Sequence, residues 1–193
     1  YIKFEYYNYA LNAFKKSANY NNNKVLQEDA LFNYAKLSYQ LNLPFNNTFN
    51  VFKAYLNSFD NSSNTAYIES LMVKMFEFTN MYYEVYVFLK DLDTLSIEQK
   101  KSLQRASFYL AIEEYNKQNF KKAILYFKQS VKYPINDRFT YLSNFWLSDC
   151  FYNLSNFSQA IEFYNKLPMT SNIDLSSFQI LKKYNLAYSY FKS

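Results

Sequence analysis

Residues 119–127 read NFKKAILYF, and residues 156–164 read NFSQAIEFY. The shared phrase is an aromatic, two variable residues, a small residue, an apolar one and a closing aromatic. Looser copies stand at 6–14 (YYNYALNAF), 44–52 (PFNNTFNVF) and 81–89 (MYYEVYVFL). The small-residue anchors are Ala10, Thr48, Val85, Ala123 and Ala160, so successive steps are 38, 37, 38 and 37 residues. Near-constant spacing in this range marks a stacked repeat, whose units cannot bury an apolar face alone and do so against their neighbours.

Each copy reads as a helix. Phe120, Ala123, Ile124, Phe127 and Val131 fall three or four apart, one stripe of a 3.6-residue period. A second helix precedes each phrase, in ALFNYAKLSYQL, YIESLMVKMFEF, LQRASFYLAIEEY and FWLSDCFYNL, with KKYNLAYSYF opening a sixth cycle. Its own small anchors, Ala35, Val73, Ala111 and Ser148, lie 12 or 13 residues upstream of the first set, and Ala187 continues the series. Small side chains there let two helix backbones approach closely. The pattern predicts helices over 4–19, 26–42, 46–58, 64–79, 82–92, 97–117, 120–132, 138–154, 157–166 and 176–192. Asn80, Asn119 and Asn156 mark the turn inside each pair, where Asn is expected to take the left-handed backbone that ends a helix. Polar stretches such as ANYNNNK, NSFDNSSN and KYPINDR separate the pairs. Ser96 and Gln99 have the spacing of a capping box, and Pro134 sits past a helix end, where its missing N–H does least harm.

Composition agrees and narrows the chemistry. Gly is 0 and Pro only 3, which argues against a turn-rich β architecture and removes every glycine-dependent phosphate or nucleophile motif. His is 0, so the commonest general base and metal ligand is missing. The lone Cys150 lies in the apolar run FWLSDCFYNL and reads as a small buried hydrophobe. Glu113 and Glu114 are adjacent, so they point apart on a helix and make a poor acid–base pair. Trp146 reads as a packing residue between helices. No enzyme, cofactor or metal site is expected. The net charge is +5, but the lysines come as scattered pairs and Arg occurs only at Arg105 and Arg138. Single-stranded nucleic-acid binding by a helical-repeat array is the alternative function, disfavoured by this lack of a basic stripe. No run approaches the ~20 apolar residues of a membrane span. The 193 residues are expected to form one array of about five repeats, and the opening Tyr1 reads as that of a piece of a longer chain.

These residues resemble a tetratricopeptide repeat (TPR) array, most clearly at 103–134 and 145–167. The family's small residue of the first helix matches Ala35, Ala111, Ser148 and Ala187. Its turn aromatic matches Tyr7, Phe45, Tyr82, Phe120 and Phe157, and its second-helix alanine matches Ala10, Ala123 and Ala160. Two departures stand out: the family's glycines are absent, and the step is 37–38 rather than the usual 34. That longer step is similar to TPR proteins of the bacterial cell envelope and to repeat proteins of type IX secretion. The resemblance implies an all-α, right-handed superhelical solenoid of antiparallel helix–turn–helix repeats. It also implies a non-catalytic protein–protein interaction scaffold of an envelope or secretion assembly. Its partners would be other proteins, held as an extended peptide or helix in the concave groove, or neighbouring subunits. The family's groove-lining positions fall on Phe32, Ser70, Phe108, Phe145 and Tyr184. Seven residues on they fall on Tyr39, Glu77, Tyr115, Tyr152 and Phe191. Lys36, Lys74 and Tyr188 join them on the same faces. The aromatics of this ladder equally suit packing between neighbouring helices, and both uses stay open at the level of sequence.

Overall fold

The computed structural model describes residues 6–20, 22–167 and 176–193. Among these residues all regular structure is helical. In chain order the helices are α1 (Tyr7–Ala18), α2 (Lys24–Gln40), α3 (Phe45–Ser58), α4 (Thr65–Phe78) and α5 (Tyr82–Leu89). They continue with α6 (Ile97–Asn116), α7 (Phe120–Lys132), α8 (Asp137–Asn153), α9 (Phe157–Asn165) and α10 (Ser176–Lys192). Every predicted helix is present, and the differences lie at the ends. Helix α2 starts at Lys24 because the Asn23 side chain caps it, accepting from the backbone N–H of Val25 and Leu26. The predicted start of the first helix at residue 4 lies outside the described residues. Ser96 and Gln99 make both hydrogen bonds of the expected capping box, at 3.2 and 2.8 Å.

The chain falls into two compact units, residues 1–80 with α1–α4 and residues 81–193 with α5–α10. Within each unit every helix packs on the next in sequence. In addition α2 meets α4 in the first unit, while α6 meets α8 and α8 meets α10 in the second. Within each unit the first helices of successive hairpins therefore lie side by side. Eight of the ten small anchors explain how, while Val73 is half-buried and Ala187 exposed. Ala35, Ala111, Ala123, Ser148 and Ala160 are completely buried, and Ala10, Thr48 and Val85 nearly so. The first unit closes on Phe52, Tyr55, Ile68 and Met72, and the second on Phe127, Phe145, Leu147 and Tyr164. Each such side chain contributes about 1.5–3 kcal/mol on burial.

The turn inside each hairpin differs from expectation. Left-handed backbone occurs at Asn42 (φ 49°), Gln118 (φ 61°) and Ser155 (φ 57°), not at Asn80, Asn119 or Asn156. In each case two backbone bonds wrap the helix end. Gln118 N–H donates to the Tyr115 carbonyl and Asn119 N–H to that of Glu114; Ser155 and Asn156 repeat the pattern on Tyr152 and Phe151. This is the Schellman wrap, with the left-handed residue just past the helix. Asn119 and Asn156 come one residue later, with φ −82° and −90°, and begin the second helix instead. There the Asn156 side chain accepts from Gln159 N–H, and the Asn119 amide donates to Glu114 at 3.1 Å. Between α2 and α3 the hinge is Asn42 itself, whereas before α7 and α9 it falls to the residue preceding the Asn.

A polar latch recurs seven residues before the small anchors of three first helices. Gln104 in α6 accepts from Asn136 N–H at 2.8 Å and donates to Thr140 Oγ1 at 2.9 Å, holding the entry to α8. Glu28 in α2 accepts from the hydroxyls of Tyr55, at 3.0 Å, and of Ser62, in the connection before α4. Tyr141 in α8 accepts from Gln179 of α10 at 3.0 Å. Chemically different side chains thus tie each of these first helices to the chain that leads into, or forms, the next one.

Candidate partner-binding surface

In the second unit the aromatic ladder divides by position. Phe108 and Phe145 are buried, and each pins two neighbours. Phe108 meets Phe127 of its own hairpin at 6.3 Å and Phe139 of the next helix at 5.1 Å. Phe145 repeats this with Tyr164 at 6.1 Å and Phe178 at 4.9 Å. These two are core residues and present no usable face to a partner. Tyr115 and Tyr152, two turns on, are half-buried with their rings edge-on to Phe120 and Phe157. Tyr184, Tyr188 and Phe191 on α10 are exposed. Tyr188 still touches Tyr152 and Phe157, at 5.7 and 6.1 Å.

In the first unit Phe32 is half-buried between Tyr55 and Tyr67, at 6.1 and 5.7 Å. Lys36 is half-buried, Lys74 and Glu77 are exposed, and the Ser70 hydroxyl donates back to the Tyr67 carbonyl. Tyr39 packs on Phe52 and forms one wall of a pocket of about 510 Å³. The pocket's apolar lining is Tyr39, Leu43, Phe45, Met75 and Phe78, and Gln40, Asn42, Thr79 and Asn80 supply polar groups beside it. The left-handed turn at Asn42 brings Leu43 and Phe45 back against the end of α2, and Phe45 is braced by stacking on Phe49 at 5.3 Å. Phe78, at the end of α4, is 84 % exposed. A concave apolar surface with polar groups beside it suits one anchoring side chain of a protein ligand.

The residue that sequence reasoning passed over is Asp149. It is buried, and its carboxylate accepts from four side chains on four helices. Tyr115 Oη donates at 2.5 Å, Asn153 Nδ2 and Asn185 Nδ2 at 2.8 Å, and Tyr164 Oη at 3.3 Å. Burial, and then the hydrogen bond to Asp149, push the Tyr115 phenol well above its ordinary range; burial and the same carboxylate's charge do so for Tyr164. Both phenols therefore stay protonated donors, and the cluster is a fully satisfied joint rather than a reactive centre. Its signal was an acid in the middle of FWLSDCFYNL, an otherwise apolar run. The pocket had a weaker one, the aromatic Phe78 facing the turn at 79–80.

The remaining candidates settle into structural places. Cys150 is completely buried, and burial pushes its thiol up to about 12, the profile of an inert small hydrophobe. Glu113 pairs with Lys117 at 2.6 Å on the surface, whereas Glu114 turns inward to Asn119 and Lys122. Trp146 sits among Tyr115, Phe145 and Phe178. Among the described residues no group of His, Cys, Asp or Glu is placed to hold a metal ion, and no helix is long and apolar enough to cross a membrane. No family model matches the chain, and no curated protein or solved structure matches it either.

Proposed function

We propose that this chain is a non-catalytic interaction scaffold of the TPR-like kind, a superhelical stack of helical hairpins that holds a segment of another protein. The observation that carries the reading is the pocket formed by Tyr39, Phe45, Met75 and Phe78, with Phe78 left largely in solvent. Burying an aromatic of that size is worth about 1.5–3 kcal/mol, and here a partner's apolar side chain would do it. The repeat period supports the rest: hairpins of one pattern stacked side by side offer successive equivalent surfaces to an extended or helical ligand. The long-period likeness extends the proposal to an assembly of the bacterial envelope or a secretion machine, with its subunits as partners.

Selection of a displayed random-peptide library tests it. The enriched peptides should share one large apolar residue and bind the chain, and Phe78→Glu should weaken that binding about tenfold or more. Because Phe78 is exposed, its helical circular dichroism should not change. Equal binding by the variant, or no enrichment, would overturn the proposal.

A further inference from the structure

Helix α7 carries four lysines and no acid, and its winding gathers three of them on one side. At about 100° per residue, Lys121, Leu125, Lys128 and Lys132 fall within an arc of about 60° that runs about 16 Å along the helix. Ala123, Phe127 and Ser130 on the opposite side are completely buried, so the arc faces outward. All three lysines are exposed, and Leu125 in the middle of the stripe is 65 % exposed. Lysines that stand apart in the sequence thus form one short basic row around an apolar side chain.

Nothing in the repeat requires this. The same positions hold Ser158, Glu162 and Asn165 in α9, and Asn46, Asn50, Lys53 and Asn57 in α3. Nor does the protein neutralise the row. Among the described residues Lys121, Lys128 and Lys132 enter no ion pair. The acids of the two helices packed on α7 are turned elsewhere: Glu113 to Lys117, Glu114 to Lys117 and Lys122, Glu98 to Ser96, and Asp149 into its joint. Asp137, at the start of α8, pairs with none of the three. What the lysines touch is rings. Lys128 lies over Phe151 at 5.7 Å, and Lys132 and Lys100 of α6 lie over Tyr133 at 5.3 and 5.9 Å. Stems laid along rings leave the charged heads at the surface.

We infer that the α7 stripe rests on an anionic phospholipid surface, with Lys100, Lys121, Lys128 and Lys132 on the headgroups and Leu125 entering the boundary with the acyl chains. Three features favour lipid over other polyanions. The cations are all lysine, hydrated point charges suited to a diffuse field, whereas paired recognition of one phosphate or carboxylate favours arginine. The exposed apolar residue is aliphatic, while a nucleic-acid strand is met by open aromatic faces. The row lies on the outward side of a single helix, a geometry that meets a surface rather than enclosing a peptide. The stripe belongs to the second unit and uses no residue of the pocket in the first, so either proposal can fail alone.

Co-sedimentation of the 193-residue chain with vesicles tests this. The chain should bind phosphatidylcholine vesicles containing phosphatidylglycerol and ignore phosphatidylcholine alone. Each lysine near such a surface is worth about fivefold, so Lys121→Gln with Lys128→Gln and Lys132→Gln should weaken partitioning about a hundredfold. Leu125→Ser should weaken it about tenfold. All four positions are exposed, so helical circular dichroism should not change. No binding to the anionic vesicles overturns the inference, as does a triple variant or a Leu125 variant that binds like the parent. A single-stranded oligonucleotide or polyglutamate that the chain binds more tightly than the vesicles also overturns it and reassigns the row to that class of partner.

Discussion

Asp149 sets the terms at the scale of the residue. An ionised carboxylate away from water is costly unless its lone pairs are filled, and here four donors fill them. The donors come from α6, α8, α9 and α10, so one acid ties two hairpins to the helix that follows them. Asp149→Ala strands those donors and should cost about 3 kcal/mol or more of unfolding free energy. Tyr115→Phe removes one charged hydrogen bond while keeping the ring against Trp146, and should cost about 1.5–3 kcal/mol. Urea denaturation of both variants checks the order; a Tyr115→Phe protein as stable as the parent would show that the 2.5 Å bond contributes nothing. The aromatic ladder is also decided residue by residue. Phe145 and Tyr184 occupy one repeat position, yet one is sealed in the core and the other faces water. Nothing in either side chain foretells that, because burial depends on what packs against the position.

At the scale of the element, the turns show how a chain without glycine ends its helices. A left-handed residue with a Cβ costs about 1–2 kcal/mol. Gln118 and Ser155 bear that cost so that the residues after them can begin the second helices. Ser155→Gly should therefore stabilise the protein by about 1 kcal/mol, read as a rise in melting temperature. Asn156→Gly should do the opposite by a few tenths of a kcal/mol, since it gives up the cap on Gln159 N–H. The pair of measurements separates the two positions: stabilisation at Asn156 instead would place the left-handed residue one step later. The latches from Glu28, Gln104 and Tyr141 belong to this scale too. They occupy one repeat position with three chemistries, which is why no shared letter advertised them.

For the whole molecule, pH reports how much of the fold rests on perturbed groups. The Ser62 hydroxyl holds the Glu28 carboxyl below its ordinary 4.5. Burial works to raise Glu114, but Asn119 and Lys122 outweigh it and hold that group low as well. Stability from these acids is present above pH 4.5 and is lost as pH falls through their lowered values. On the alkaline side the signs reverse. Cys150, raised from 9.0 to about 12, contributes stability that is complete below pH 9.0 and is lost as pH rises toward 12. Tyr115 and Tyr164 act likewise from pH 10.0 upward. Lys182, pushed below 10.5 by burial, opposes them, since the unfolded chain holds its proton more tightly. Melting temperature against pH should form a plateau with both shoulders, and Cys150→Ala should flatten the slope between pH 9 and 12. An unchanged slope would deny the thiol its share.

Taken alone, the sequence determined the helices, their pairing into hairpins and the near-constant step, because apolar periodicity and small anchors are local patterns that bury an apolar stripe in only one way. Ala111, Ala123, Ser148 and Ala160 could be named as contact points for that reason, and they are sealed. Only the tertiary structure decided which aromatics are core and which face water, where the left-handed residue falls, and that Asp149 joins four helices. The first and last depend on groups well away in the chain, as Asp149 and Asn185 are, 36 residues apart, and burial is a property of the neighbours rather than of the letter. The left-handed residue is set locally, by the helix end that its two backbone bonds wrap.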